Sequence, residues 1–566
     1  MTPDDLERLL GDPHDTANPH GFAAAVARDE QDAFPEELCA KLREAGFHLN
    51  YLPREWGGRF ESFDRSMLLV RTAARRDLNV MPGTMFGITA ATCLALHGSP
   101  EQRKRAAEIL TEGGAIGFAL SEARHGSDLL ANTARLEPTA DGWALTGEKW
   151  LVGLGHRCEA AYVVARTGER GPAAFSAVFV DLTTAADGLD RGPLVPAAGM
   201  RGIDFADLRF DRFPVPREAL VGREGEALES VMKAQQVVRV MSMAGSLGIA
   251  DTALRQTLDF AADRRVGRTT VLRSPYPRRE LAIASAALLA ADATALAASR
   301  GIHVVPETFS VWGCAAKHVV AESTDDLLRR CGGVLASHAV LRDGLFQKLQ
   351  RDAAVVRVVD TSPLANLRSF ASQLQQTLFR GAGLNQSAAP PRGATSPHAP
   401  AAKEHIRTIF NLEEPLPPYA PDRLDLNARG YDPVTIALPL IAPEALARLT
   451  TAADHPTAEL VTRLVTAVGG LPAELANADR DTGLIDMADR FTWLHAAASC
   501  LHLWWANESN PFFTTGWLQA TLAHLLARAT GTDPRRAGDA QLPALDITTD
   551  LHDHDQLFSA LPVHLA

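Results

Sequence analysis

The 566-residue chain is 46% hydrophobic and 22% charged, a composition with room for several packed cores that excludes wholesale disorder or a collagen-like repeat. Its 56 Lys+Arg against 68 Asp+Glu leave a net charge of -12, without the basic excess that a nucleic-acid binder carries. The six cysteines lie far apart, which excludes a Cys-rich zinc module and a dense disulfide framework and suits a reducing cytoplasm.

The opening MTPDDLERLL is acidic where a signal peptide would be basic and then apolar, so no targeting segment is expected. Residues 1–117 follow a helical period: in PEELCAKLREAGF, Leu38, Leu42 and Ala45 share one face. Over 118–225 the period changes to two, and WALTGEKW, AAYVVART, FSAVFVDL and DLRFDRFPV predict strands separated by Gly, Asp and Pro turns. The helical period returns over 226–380. Within it, the alanine-rich run Leu281 to Ser299 contains Asp292 and predicts a buried amphipathic helix rather than a membrane span. Residues 381–421, rich in Pro, Ala and Gly, predict a linker without a helix. Beyond it, 422–566 predicts a separate helical domain whose core gathers Trp493, Cys500, Leu501, Trp504 and Trp505.

The common nucleotide, hydrolase and zinc-protease fingerprints are absent. The run His552-Asp553-His554-Asp555 has metal-ligand residue types, but adjacent side chains on a polar run diverge, and no metal site is expected. The informative stretch runs from Phe118 to Gly155. A strand ends at Ser121-Glu122, a small-residue loop Gly126-Ser127-Asp128 follows, and a hairpin arm TGEKW comes next. Such a loop lets backbone N–H groups approach a phosphate or a flat ring.

This stretch resembles the strand-loop motif of the acyl-CoA dehydrogenase superfamily. The resemblance continues, in order, through EWGG (55–58), GMRG (199–202), VPREALVG (215–222), AGSLGIADTAL (244–254), CGG (331–333) and QRDA (350–353). It covers about residues 30 to 375 and implies a mainly α fold with a central β-barrel domain, to which the C-terminal helical extension is added. It also implies FAD. Phe118, Leu120 and Ser121 fall where the family holds the flavin pyrimidine edge, Gly126 and Ser127 where it meets the pyrophosphate. Arg264 matches the arginine that reaches a neighbouring subunit's pyrophosphate, which implies a homodimer. Gly332 and Gly333 match the adenine side, with Arg329 in place of the family glutamine.

Two positions depart from the pattern. Where the family flanks the N5 side of the flavin with an aromatic ring and, two residues on, a hydroxyl, this chain has Leu151 and Gly153. Counting from QRDA, the catalytic glutamate position falls on Asp360, with Thr361 and Ser362 after it beside the cofactor; Arg239 falls where the family keeps an arginine next to the base. Asp360 fits equally well as the N-cap of a helix beginning SPLANLRSF. The resemblance implies α,β-desaturation of an acyl thioester on CoA or a carrier protein, passing electrons to an electron-transfer flavoprotein. A second reading, from the missing hydroxyl, is a decarboxylating dehydrogenase or monooxygenase acting on a β-keto acid with molecular oxygen. A third is a non-catalytic scaffold.

Overall fold

The computed structural model describes residues 1–183, 187–359, 361–381, 396, 398–479 and 482–566. Two compact units divide the chain, Met1–Met241 and Ser242–Ala566.

The first unit opens with seven helices: α1 (Pro3–Leu10), α2 (Phe22–Glu30), α3 (Glu36–Glu44), α4 (Phe63–Arg76), α5 (Val80–Met85), α6 (Ile88–His97) and α7 (Pro100–Thr111). Reciprocal capping boxes start α1 (Thr2 with Asp5) and α7 (Ser99 with Gln102), each with Pro at the first helical position. Strands follow: β1 (Ile116–Ala119), β2 (Arg135–Pro138), β3 (Gly142–Gly153), β4 (Ala160–Arg166), β5 (Phe175–Asp181), β6 (Leu189–Leu194), β7 (Phe205–Pro216) and β8 (Leu220–Val221). The inward residues of their two-residue period, among them Leu145, Val163, Val178, Leu208 and Phe213, form one apolar cluster.

The central sheet corrects the expected barrel. Its order is β6-β7-β3-β2-β4-β5-β8, with β1 paired to β4, and among the described residues no ladder joins β6 to β8. The sheet is therefore open. Its ends discourage closure: β8 has two residues, and β6 carries Asp190, Arg191 and Pro193 on a mostly solvated strand.

Helix α8 (Ala227–Asp263) runs from the first unit into the second, which continues with the hairpin β9 (Arg265–Val266) and β10 (Thr269–Thr270). Then come α9 (Pro275–Val304), α10 (Phe309–Leu335), α11 (Leu345–Val358), α12 (Pro363–Gly381), α13 (Ala399–Phe410), α14 (Pro433–Thr451), α15 (His455–Ala476), α16 (Thr482–Ala506), α17 (Thr515–Ala529) and α18 (Leu542–Asp553).

Three expectations change here. Helix α9 is not amphipathic: every residue from Glu280 to His303 is buried, because α10, α13, α16, α17 and α18 all pack on it. By length and composition α9 could cross a membrane, but its apolar stretch lies wholly inside the protein. The predicted linker contains a helix, α13, which buries Ala402, Ile406, Ile409 and Phe410. Arg300 of α9 explains its hold, donating to the carbonyls of Thr408, Ile409, Asn411 and Glu414 at the C-terminal end of α13. The extension is not a body of its own either, since α16, α17 and α18 share a core with α9 and α10. Its last residues close that core: Ser559 and the Ala560 N–H donate to buried Asp292, and the Phe558 N–H donates to buried Asp251.

Candidate functional site

The turn between β1 and β2 carries most of the residues singled out in the sequence. In the parallel pair β1–β4, Phe118 stands opposite Tyr162, and the rings stack at 5.8 Å and 19°. The chain leaves the sheet at Leu120 and Ser121 over a buried ion pair that the sequence motifs do not single out. Lys149 Nζ donates to Glu122 Oε1 at 3.0 Å and to the Leu120 carbonyl at 3.1 Å. Glu122 also accepts from the Thr133 N–H (2.7 Å), the Thr133 hydroxyl (2.9 Å) and the Ala134 N–H (2.9 Å). Burial alone raises the Glu122 carboxyl, but Lys149 and the backbone donors outweigh it and hold the group below its ordinary value. The Trp150 N–H donates to the Ser121 carbonyl at 2.9 Å and ties the turn to β3.

That scaffold leaves binding groups unspent. Among the described residues, the Ser121 hydroxyl is half-buried with no protein partner. Gly126 has φ +54°, its N–H donates to the Glu122 carbonyl at 3.0 Å, and no heavy atom lies within 4 Å of where its β-carbon would stand, so the loop leaves open space beside its backbone. Ser127 beside it is exposed.

The end of β3 is built differently. The register against β7 shifts between Lys149 and Val152, and Leu151 and Leu154 both have left-handed backbones, at φ 53° and 54°. Leu151 donates its N–H to Asp207 Oδ1. Between the two leucines, Gly153 is buried, and a β-carbon there would overlap the Phe86 ring. Phe86 follows α5 and meets Phe205 edge-on at 6.2 Å. Phe86 also lines a cleft of about 340 Å³ with Arg43, Thr84, Glu112, Leu154, Arg157 and Glu159. Arg239, on α8, is buried.

In the second unit Arg264 is exposed at the base of the β9–β10 hairpin, and Gly332 and Gly333 lie in the last turn of α10. These two regions are neighbours, since Phe260 of α8 packs its ring against His338 at 5.0 Å. Thr361 and Ser362 lie elsewhere: Asn366 of α12 bonds the Cys314 carbonyl, roughly 27 Å up α10 from the glycines at the helical rise. Ser362 Oγ accepts the Ala365 N–H and caps α12, so Ser362 takes the capping role weighed for Asp360. Asp360 itself lies outside the described residues. Among the described residues no three His, Cys, Asp or Glu side chains gather as metal ligands, and His552 bonds Asp259 at 2.8 Å.

The donors present at 118–127 fit a flavin dinucleotide: a free hydroxyl, a cradle open at Gly126 and a rigid buried anchor. The end of β3 offers it neither ring nor hydroxyl at 151 and 153. A helical, sheet, helical chain with such a turn has the architecture of a flavin-dependent oxidoreductase. Three family models match in order: the acyl-CoA dehydrogenase N-terminal domain over residues 14–114, the middle domain over 117–213 and the C-terminal domain over 226–360. A probable acyl-CoA dehydrogenase, fadE25, of Mycobacterium leprae is 25% identical over 340 residues, 59% of this chain and 85% of the relative. Among solved structures, butyryl-CoA dehydrogenase from Megasphaera elsdenii superposes with TM-score 0.60 at 20% identity, covering 66% of this chain and 97% of its own. The prolyl acyl carrier protein oxidase AnaB gives 0.57 at 17% identity, covering 61% and 92%. PigA with FAD and proline gives 0.58 at 17% identity, covering 62% and 92%. The chain belongs to the acyl-CoA dehydrogenase family, a family of FAD-dependent oxidoreductases.

Proposed function

We propose that the protein desaturates an acyl thioester between its α and β carbons, with the acyl group carried on CoA or on a carrier protein. The observation that carries this reading is the turn at 118–127, pinned by Lys149 and Glu122 yet open at Ser121 and Gly126. The likeness to AnaB, an acyl carrier protein oxidase, supports a carrier-bound substrate. FAD, when bound, supplies the hydride acceptor that a C–H bond requires. In this reading the Phe118 and Leu120 amides and the Ser121 hydroxyl hold the ring edge, and Gly126 and Ser127 hold the pyrophosphate. Arg264 reaches the pyrophosphate of a second copy, Gly332 and Gly333 receive the adenine, and Thr361 and Ser362 stand near the ring. Asp360 takes the α-proton as the β-hydride departs, so the C–H pairs become one C=C bond, and Arg239 stands beside the base. The protein works as a homodimer and hands its electrons to an electron-transfer flavoprotein. The absence of a hydroxyl at Gly153 favours one other reading, in which molecular oxygen takes the electrons and a β-keto acid loses CO₂ to form the enolate.

Asp360→Asn separates the two. Under desaturation, flavin bleaching by an acyl thioester without oxygen falls by about two to four orders of magnitude. Under decarboxylation, bleaching by a β-keto acid survives the same change. A purified protein that is colourless and takes up no FAD would overturn both and leave a scaffold.

A further inference from the structure

The joint between α11 and α12 is held from α10. Helix α11 stops where Val359 takes an extended backbone, at ψ 145°, and α12 begins at Pro363 behind the Ser362 cap. Over about two turns of α10, three side-chain bonds reach these helices and the joint. Glu322 accepts from Arg357 Nε at 2.9 Å, Lys317 Nζ donates to the Val359 carbonyl, and the Cys314 carbonyl accepts from Asn366 Nδ2 at 2.6 Å. Arg357 and Asn366 restrain the helices on either side, and Lys317 restrains the peptide between them.

Lys317 stands out because of its setting. It is 4% exposed on a helix whose neighbouring turns bury Cys314, Ala316, Val320 and Ala321. An ammonium brought that deep is costly unless oxygen acceptors meet it. The carbonyl it meets is one that α11 leaves over at its C-terminal end, where a cation also suits the helix dipole. That carbonyl belongs to the peptide bond joining Val359 to Asp360.

We propose that Lys317 is a positioning residue for the desaturation: its ammonium pins the Val359–Asp360 peptide to α10 and so fixes where the base meets the α-proton. This rests on the reading given under Proposed function, in which Asp360 is that base. Proton abstraction tolerates little misplacement, and a shift of about 1 Å costs about a hundredfold in rate.

Anaerobic flavin bleaching by butyryl- and octanoyl-CoA tests the proposal. Lys317→Met keeps most of the side chain's bulk and removes the ammonium. Its bleaching rate at saturating thioester falls by about a hundredfold, while the half-saturating concentration stays near the parent's, the pattern of a group that serves the chemical step rather than binding. Lys317→Ala loses the same rate and leaves the room of a propylammonium ion. Added propylammonium raises that rate, whereas 1-propanol, which brings no charge, does not. Lys317→Met bleaching as fast as the parent, or a loss in Lys317→Ala that propylammonium leaves untouched, overturns the proposal. If Asp360→Asn still stops bleaching in that case, the reading of the site stands and only the role of Lys317 falls. A parent that takes up no FAD, or whose flavin neither thioester bleaches, overturns the reading and this proposal with it.

Discussion

Lys149 occupies an inward position of β3, two steps beyond Gly147 and four beyond buried Leu145, where the alternation calls for an apolar residue. A buried ammonium there needs a carboxylate, and Glu122 supplies it from the turn that carries Ser121 and Gly126. The sequence does show the signal: a lysine on the inward register, and a glutamate ending a strand. It is weak because the partners lie 27 residues apart, and strand period does not reveal which turn folds over which strand. Lys149→Met leaves Glu122 buried without its counter-charge, which costs about 3–5 kcal/mol. The variant should melt well below the parent and retain less FAD, and adding Glu122→Gln should recover most of the melting temperature. Because Glu122 is held below its ordinary value, its contribution in the parent is complete above about pH 4.3 and fades as pH falls through the lowered value.

At the level of elements, strands were the more legible. WALTGEKW, AAYVVART, FSAVFVDL and DLRFDRFPV fall within or across β3, β4, β5 and β7, because two-residue alternation bounded by turns has few other solutions. Whether the strands close into a barrel was not legible, since closure depends on end strands as short as β8. Helix α13 escaped for another reason. Its surroundings are rich in Pro and Ala, and it is held from outside the local sequence, by packing on α14, α9 and α16 and by the bonds from Arg300. Arg300→Met removes a cation from four carbonyls that then have no comparable donor. We expect a loss of at least about 2 kcal/mol. Amide hydrogen exchange over 399–414 should quicken, while amides of β4 and β5 keep their protection. Unchanged exchange in α13 would show that apolar packing alone holds it.

Across the whole molecule, the second unit buries histidines that acid must reach. His502 is fully buried, and burial pushes it down to about 4, although it meets the Val434 carbonyl at 2.8 Å. Burial likewise pushes His524 down to about 3, and neither of its ring nitrogens has a hydrogen-bond partner. Below about pH 6.5 an unfolded chain takes up protons that these folded histidines refuse. Stability therefore falls as pH drops from 6.5 towards those lowered values, by up to about 1.4 kcal/mol per pH unit for each. His524→Leu also removes two unpartnered nitrogens, so it should melt above the parent, with a gap that widens by roughly 2 kcal/mol between pH 7 and pH 5. A constant gap would mean that His524 is protonated in the folded state.

Helix α9 is enclosed by partners that the ribosome makes much later. Ser285 on α9 bonds Thr548 on α18, 263 residues further along the chain. At ordinary rates of synthesis that separation is on the order of tens of seconds. Throughout that interval a helix buried on every side in the finished protein has no cover on the side that α16, α17 and α18 will occupy. The nascent chain thus displays one of its most apolar helices while it is still being made. That exposure makes the yield of folded protein in a cell sensitive to how long α9 waits and to what shields it.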